Sequence, residues 1–207
     1  MDPITLSEKE KYKKIWQDKR YRNSSPGYKL AKLFFYFAKN SKGESVTDFG
    51  CGTGRAALRF LGNGMHVQLV DITKNALDES IKTLCHIDER VSFIEASVWE
   101  LPEEVVKTDW IFSADLLEHL PEERVDAALH NMASRTKKGG MLQIYLEEEP
   151  FGELIGETLH LTLKSRQWWI DQVAKHWEIT LVSPEVQDHV RFAIFVGKPH
   201  EKNQTHK

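Results

Sequence analysis

Residues 44–61 constrain the fold of this 207-residue chain more than any other stretch of the sequence. A β-prone segment ends at the acid Asp48, glycines then occur at every second position, and a helix-compatible run begins at Arg55. The glycines are Gly50, Gly52 and Gly54. Glycine lets a backbone approach a ligand that a Cβ would obstruct, and the first amides of a helix carry partial positive charge. The order of strand, glycine turn and helix therefore predicts a nucleotide-binding loop.

The spacing of the glycines distinguishes between kinds of nucleotide. A dinucleotide-binding loop has the pattern Gly-x-Gly-x-x-Gly, but counting from Gly50 places Arg55 where the third glycine belongs. The observed pattern is Asp-x-Gly-x-Gly-x-Gly from Asp48. Its carboxylate repels a pyrophosphate and suits a ligand that carries a positive charge. This segment resembles the first motif of class I S-adenosylmethionine-dependent methyltransferases and matches it at every position.

The resemblance implies an α/β fold of three layers, a Rossmann-like methyltransferase fold with a mostly parallel seven-stranded sheet and an antiparallel last strand. Strand-like and helix-like segments alternate after Glu44, which also predicts a mainly parallel sheet with right-handed crossovers. We expect a single domain over residues 1–200 and a mobile tail over 200–207. The expected parts of the domain are an N-terminal helical cover (1–43), a cofactor-binding core (44–146) and a substrate-side segment with edge strands (147–199).

Local signals predict where several helices begin. Ser7 and Glu10 have the spacing of a capping box, so we expect the first helix to begin near Ser7. Pro26 suits the first position of a second helix. Further along, Thr73 is predicted to cap a helix that continues to about Cys85.

The composition is that of an ordinary globular protein, with 41% hydrophobic and 29% charged residues. The net charge of −3 gives no general reason to expect a nucleic-acid partner. A basic stretch at residues 9–32 is interpreted as a solvated helix face rather than a phosphate-binding patch. The two cysteines, Cys51 and Cys85, do not suggest a disulfide, which fits a reducing cytoplasm. We expect neither a signal peptide nor a membrane partner.

A second acid follows the glycine loop at the distance expected for ribose binding. Asp71 ends the second predicted strand about twenty residues after the loop, where a carboxylate accepts hydrogen bonds from both ribose hydroxyls. By resemblance, Ile72 packs beside the adenine, and Ser97 stands where the family often has an aspartate that binds the adenine amino group. The amide of Val98 then lies near the ring, and Trp99 is either an adenine cover or a core aromatic.

The resemblance implies S-adenosyl-L-methionine as the cofactor. The full set of predicted cofactor-binding residues is Asp48, Gly50, Cys51, Gly52, Gly54, Asp71, Ile72, Ser97, Val98, Trp99 and Asp115.

The segment after the fourth predicted strand contains Asp115, Glu118 and His119. It is similar to a leucine-glutamate-histidine segment that lines the methyl-transfer pocket in this family. These side chains are also possible metal ligands, but no second ligand cluster has matching spacing, so we expect no metal site. Asp115 is instead predicted to bind the ammonium group of the cofactor or the substrate.

Transfer of a methyl group from a sulfonium mainly requires in-line placement of the acceptor in a dry site. A hydroxyl or amine acceptor must also lose a proton, and histidine is the usual proton acceptor near neutral pH. His160 is the first candidate base, because it lies on the polar face of a segment that alternates like a strand over residues 158–163. His119 is the second candidate, and a structural role remains open for each histidine.

The predicted substrate-binding residues are Tyr21, Arg22, Tyr28 and Glu147. Arg22 and Tyr28 flank a Ser-Ser-Pro-Gly turn and suit an anionic group, whereas Glu147 begins an acidic run that suits a cationic one. We expect a small-molecule or sugar-type acceptor that is methylated on oxygen or nitrogen. Methylation of RNA or protein through the basic N-terminal segment is an alternative, and so is a non-catalytic scaffold that binds the cofactor. The sequence does not predict an oligomeric state.

Overall fold

The computed structural model describes residues 2–183 and 190–201, which form seven α-helices and one sheet of seven strands. The helices are α1 (Pro3–Ile15), α2 (Lys19–Ser24), α3 (Gly27–Phe37), α4 (Ala56–Gly62), α5 (Glu79–Ile87), α6 (Glu122–Ser134) and α7 (Arg166–Ala174). The strands are β1 (Ser45–Phe49), β2 (His66–Asp71), β3 (Val91–Glu95), β4 (Thr108–Ala114), β5 (Thr136–Tyr145), β6 (Trp177–Val182) and β7 (Arg191–Pro199). Three short 3₁₀ turns occur at Lys74–Ala76, Leu117–His119 and Pro150–Leu154.

The strands lie in the order β3-β2-β1-β4-β5-β7-β6. The first five strands of the chain pair in parallel, and β7 pairs antiparallel with both β5 and β6. Helical crossovers connect the parallel neighbours, as a sheet of this kind requires. The predicted Rossmann-like fold class, with its antiparallel last strand, is confirmed.

Helices cover both faces of the sheet. On one face, Phe34 of α3 and Phe60 of α4 pack around Phe112 of β4. On the other face, α6 and α7 share one apolar cluster with β5, in which Trp169 of α7 is fully buried. A parallel sheet that is covered on both sides needs apolar residues at nearly every position, and every residue of β1 after Ser45 is buried.

The carboxyl ends of β1, β2 and β4 meet at one edge of the sheet because these strands are parallel. Phe49 at the end of β1 pairs with Val70 of β2 and with Ser113 of β4. The chain winds outwards from β1 through β2 to β3 and then returns to the other side of β1 as β4. Ligands of open α/β sheets bind at such a reversal of strand order, and the glycine loop leaves β1 at this place.

Two local predictions about helices are wrong. α1 begins at Pro3 rather than near Ser7, because the side chain of Asp2 accepts hydrogen bonds from the first amides of the helix. The helix that we predicted from Thr73 to Cys85 is instead a 3₁₀ turn followed by α5. In both cases the predicted region is helical, but the helix begins at a different residue: Asp2 precedes α1 and Asp78 precedes α5.

Residues 158–163 do not form a strand, although their alternating sequence predicts one. The amides of Leu161 and Thr162 donate hydrogen bonds to the carbonyl oxygen of Glu118, at 2.9 and 3.0 Å, instead of pairing with the sheet. His160 and Thr162 are buried, whereas Leu161 is 38% exposed. Thr158 is exposed and Leu159 is buried, so burial does not follow the polar and apolar alternation of the segment.

No helix of residues 2–183 and 190–201 combines the length and the apolar character that crossing a membrane requires. The described part of the chain ends at Glu201, so the predicted mobile tail lies almost entirely outside it. The division into cover, core and substrate-side segment stays a prediction.

Candidate active site

The glycine loop folds back over the end of β2. The amides of Gly50 and Cys51 donate hydrogen bonds to the carbonyl oxygen of Val70, at 2.9 and 3.1 Å. Gly52 has a φ of +52°, and a Cβ on it would lie 2.9 Å from the indole ring of Trp16. Only glycine combines this left-handed conformation with so close an approach. The loop is thus pressed between β2 and the N-terminal helical region.

Asp71 ties the glycine loop to the end of β2. Its carboxylate accepts hydrogen bonds from the amides of Gly52 at 2.8 Å and Thr73 at 3.2 Å. Burial raises the pKa of Asp71 to about 6, although both amides act to lower it. Burial, together with the nearby charge of Asp71, also holds the pKa of Asp48 well above its usual range. Two acids in one buried place favour a ligand that donates hydrogen bonds or carries positive charge.

A first cavity opens beside these groups and holds about 600 Å³ of space, including its open mouth. Its residues come from α1, the glycine loop and the segments that follow β2, β3 and β4. The hydroxyl of Ser97 is buried and has no hydrogen-bond partner among the described residues. The cavity is lined by Glu8, Tyr12, Trp16, Tyr21, Gly50, Val70, Asp71, Ile72, Ala96, Ser97, Val98, Trp99, Asp115, Leu116, His119 and Leu120.

Helix α1 closes one side of the first cavity. Trp99 donates a hydrogen bond from its indole nitrogen to the hydroxyl of Thr5, at 3.0 Å. Lys9 forms an ion pair with Glu95 at the end of β3, and Lys11 donates to the carbonyl oxygen of Thr158, at 3.2 Å. The helix is therefore anchored on both sides of the cavity. Glu8, Tyr12 and Trp16 line the cavity, and their spacing of four residues is the sequence signal that would have identified them.

A second cavity of about 820 Å³, again with its open mouth, adjoins the first and shares five lining residues with it, which are Trp16, Tyr21, Gly50, Asp115 and His119. Aromatic rings form one wall, with Tyr21 set edge-on against Phe151 at 5.7 Å between ring centroids. The cavity is lined by Trp16, Tyr21, Ser24, Ser25, Pro26, Gly50, Gly52, Ala114, Asp115, His119, Tyr145, Glu149, Pro150, Phe151, His160 and Arg191.

Asp115 lies where the two cavities join. Its φ of +51° is a left-handed conformation that aspartate tolerates better than most residues. Gln143 donates a hydrogen bond to its carboxylate at 2.8 Å, and the guanidinium of Arg191 lies 3.5 Å away. Burial raises the pKa of Asp115 to about 6, and Arg191 opposes this rise. Arg191 also stacks on Tyr145, with its guanidinium carbon 3.9 Å from the ring centroid.

The structure brings His119 and His160 together, with 4.4 Å between their ring centroids. The Nδ1 atom of His119 lies 2.8 Å from the hydroxyl oxygen of Tyr12 and 3.2 Å from the carbonyl oxygen of Leu159, and the Nδ1 atom of His160 lies against the carbonyl oxygen of Glu147. A carbonyl only accepts, so we assign the proton of each ring to Nδ1 and a lone pair to Nε2. Burial lowers the pKa of both histidines, which keeps the rings neutral.

Three of the predicted substrate-binding residues do not line either cavity. Arg22 pairs with Asp78 at 2.7 Å, so its charge is already balanced. Tyr28 is 41% exposed and packs under the guanidinium of Arg59. Glu147 is exposed, and its contact with the site is the backbone carbonyl that holds His160. Among these predictions, Tyr21 alone is brought to the cavities.

Most predicted cofactor residues line the first cavity, but Asp48, Cys51, Gly52 and Gly54 do not, and Gly52 lines the second cavity instead. Gly54 is needed for packing, because a Cβ there would lie 2.8 Å from Ile81. Asp48 lies one layer below, at 3% exposure. The sequence also gave no sign of Arg191, which is distant in the chain from every motif and reaches the site through the pairing of β7 with β5.

Comparison with known proteins agrees with this geometry. Residues 46–140 match a family model described as a methyltransferase domain. The structure is similar to the 1,6-didemethyltoxoflavin-N1-methyltransferase of Burkholderia thailandensis with bound S-adenosylhomocysteine, with a TM-score of 0.73, 16% identity and coverage of 97% of this chain and 92% of that one. It is also similar to the magnesium protoporphyrin IX methyltransferase of Synechocystis PCC 6803, with a TM-score of 0.66, 15% identity and coverage of 94% and 95%. A third similar structure is that of the 4+2 cyclase SpnF, with a TM-score of 0.64, 16% identity and coverage of 83% and 80%.

The strand order and the glycine loop beside two buried acids define a protein of the class I methyltransferase fold. Residues 46–140 match the methyltransferase domain. The domain match and the shared fold together support a class I S-adenosylmethionine-dependent methyltransferase.

Proposed function

We propose that this enzyme binds S-adenosyl-L-methionine in the first cavity and transfers its methyl group to oxygen or nitrogen of a small, ring-shaped molecule in the second. The observation that carries the proposal is that the two cavities adjoin at shared lining residues, among them Gly50, Asp115 and His119. In the proposed binding mode, a sulfonium near these residues is directed at the acceptor. In-line placement of this kind is the main requirement of methyl transfer.

The first cavity has a partner for each part of the adenosine. The Asp71 carboxylate accepts from the ribose hydroxyls, and the unpartnered hydroxyl of Ser97 accepts from the adenine amino group. Ile72, Val98 and Trp99 provide apolar surface for the ring. The methionine portion then extends along the glycine loop, where the negative charge of Asp115 suits its ammonium group.

Aromatic side chains favour a planar or ring-shaped acceptor in the second cavity. Trp16, Tyr21 and Phe151 form an aromatic wall, with 4.6 Å between the ring centroids of Trp16 and Tyr21. Glu149 and Arg191 bring one charge of each sign, which suits an acceptor with little net charge. The similar enzymes of Burkholderia thailandensis and Synechocystis are named for ring-shaped acceptors, which supports the same class.

The two histidines provide places for the proton of the acceptor. The acceptor lone pair attacks the methyl carbon, the carbon–sulfur bond breaks, and sulfur keeps the bonding electrons as a neutral thioether. The acceptor proton passes to Nε2 of His160 or of His119, both of which line the second cavity as neutral rings. A neutral imidazole acts as a proton acceptor.

The alternative of an RNA or protein acceptor receives less support. Of the basic residues between positions 9 and 32, five form ion pairs with nearby acids. These residues are Lys9, Lys11, Lys13, Arg20 and Arg22. Charges that are already paired attract phosphates less strongly.

Isothermal titration with S-adenosylhomocysteine tests cofactor binding, and mass spectrometry of reactions with phenolic, heteroaromatic and sugar acceptors tests transfer. We expect one binding site per chain and a mass increase of one methyl group on a ring-shaped acceptor. Binding without transfer to any acceptor would favour the scaffold alternative. Asp71→Asn provides the negative control for binding, and failure of the wild type to bind would refute the proposal.

A further inference from the structure

Glu118, His119 and His160 form a compact cluster of buried side chains at the edge of the second cavity. One ligand atom of each residue lies within 4.8 Å of the others. The first two residues belong to the 3₁₀ turn after β4, and the third belongs to the segment 158–163. The carbonyl oxygen of Glu118 accepts hydrogen bonds from the amides of Leu161 and Thr162. This backbone contact holds the segment that contains His160 against the turn that contains Glu118 and His119.

Two atoms of this cluster are buried without a hydrogen-bond partner within the described part of the chain. One carboxylate oxygen of Glu118, Oε1, accepts from the amide of Tyr145 at 3.0 Å, but Oε2 has no partner. Nε2 of His160 has none either. Glu118 is 0% exposed and His160 is 3% exposed. Buried polar atoms in proteins nearly always have a partner, so two such atoms within one compact cluster indicate a missing ligand.

The histidines are oriented as metal ligands are. With the proton of each ring on Nδ1, His160 donates to the carbonyl oxygen of Glu147, and His119 donates to that of Leu159 beside the hydroxyl oxygen of Tyr12. The Nε2 atom of each ring then keeps its lone pair. Metal-binding histidines usually donate a hydrogen bond from their second ring nitrogen in this way.

We propose that Glu118, His119 and His160 bind one divalent transition-metal ion through the Glu118 carboxylate and the two Nε2 atoms. Two imidazoles and one carboxylate form a donor set that suits Zn²⁺ or Fe²⁺ and leaves a coordination position open. Donors of a tetrahedral ion with bonds of about 2.1 Å are about 3.4 Å apart, so the cluster closes by about 1 Å when it binds. From the sequence we expected no metal site, because no second cluster of ligands has matching spacing. The fold brings a further ligand, His160, to Glu118 and His119.

The open position of such an ion faces the second cavity, which both histidines line. If the proposed methyl transfer is correct, the ion holds an oxygen of the acceptor and lowers the pKa of that oxygen. The Nε2 lone pairs are then occupied by the metal, so the ion rather than an imidazole prepares the acceptor. This consequence depends on the proposed function, whereas the metal site itself does not.

Equilibrium dialysis of the full chain against Zn²⁺, with elemental analysis of the protein, measures the stoichiometry and affinity. We expect one ion per chain, no displacement by excess Mg²⁺, and at least about tenfold weaker binding by Glu118→Gln and His160→Gln. His86→Gln is the matched control, because His86 is exposed at the end of α5. It should bind Zn²⁺ like the wild type.

Calorimetry with S-adenosylhomocysteine on the same samples separates the two proposals and shows that each variant is folded. Cofactor binding without stoichiometric Zn²⁺ would reject the metal site alone, and Zn²⁺ binding without cofactor binding would reject the proposed function alone. Wild-type affinity in both cluster variants would also overturn the site. If His160→Gln does not fold, the visible spectrum of Co²⁺ bound to the wild type tests the metal site instead. A strong four-coordinate spectrum supports the site, and the weak spectrum of hydrated Co²⁺ rejects it.

Discussion

Replacing Asp71 by asparagine should stabilise the protein without ligand and weaken its binding of the cofactor. Burial raises the pKa of Asp71 from 3.8 to about 6. A carboxyl group with a raised folded-state pKa contributes stability below pH about 4, and this contribution is lost as the pH rises through about 6. A shift of about 2 units corresponds to about 3 kcal/mol. The neutral amide avoids this cost, but its NH2 group cannot accept from the amide of Gly52 or of Thr73, and this loss costs about 1–3 kcal/mol. Asp71→Asn should therefore be more stable than the wild type by up to about 2 kcal/mol at pH 7.5.

Cofactor binding should change in the opposite direction. The amide keeps one acceptor oxygen and loses the charge, and hydrogen bonds to a charged group contribute about 1.5–3 kcal/mol each. We therefore expect an affinity for S-adenosylhomocysteine that is lower by about two orders of magnitude.

Urea denaturation at pH 7.5 and pH 4 and calorimetric titration at pH 7.5 measure the two effects. Asp88→Asn is the matched control, because Asp88 pairs with Arg90 at the surface and should change stability by less than about 1 kcal/mol. The stability gain of Asp71→Asn should disappear at pH 4, where the wild-type carboxyl group is protonated. Lower stability of Asp71→Asn at pH 7.5, or an equal gain at both pH values, would refute the electrostatic argument.

Three further changes test other parts of the structure. Trp16→Ala should weaken binding of S-adenosylhomocysteine about tenfold in calorimetry, because the indole lines both cavities and covers Gly52. An unchanged affinity would mean that the cofactor binds elsewhere. Arg191→Gln should raise the KM of the acceptor about tenfold, because Arg191 lines the second cavity; an unchanged KM in steady-state kinetics would contradict this assignment. Gly140→Ala should cost more than about 3 kcal/mol in urea denaturation, because its Cβ would lie 2.1 Å from the carbonyl oxygen of Ile111. Gly62→Ala, where no atom lies within 4 Å of the new Cβ, should change stability by less than about 0.5 kcal/mol.

The cofactor side of the site was predictable because its signals are local. The Asp48 motif, Asp71 and the segment after β4 each follow a strand directly, and parallel strands bring such segments to one edge of the sheet. Local signals also have limits. Ser7 and Glu10 have the spacing of a helix cap but lie within α1, because Asp2 caps the helix instead.

The acceptor side was harder to predict because its residues meet through long-range contacts. His160 reaches His119 through amides that bind the carbonyl oxygen of Glu118, and no side-chain pattern encodes that contact. Arg22 was a reasonable substrate residue from its position beside a turn, but Asp78, 56 residues away, pairs with it. The alternation in residues 158–163 predicted a strand with two faces, but burial does not follow it, because Leu159 is buried along with His160 and Thr162.

Helix α1 has a consequence for how fast the enzyme works. It is attached across the first cavity by an ion pair from Lys9 to Glu95 and by hydrogen bonds to Trp99 and to the carbonyl oxygen of Thr158. With the cofactor in the first cavity as proposed, opening of these contacts widens its exit, so detachment of the helix speeds the release of spent cofactor. The ion pair is partly exposed, and salt weakens such pairs. Product release, and with it turnover at saturating substrate, should therefore quicken as ionic strength rises.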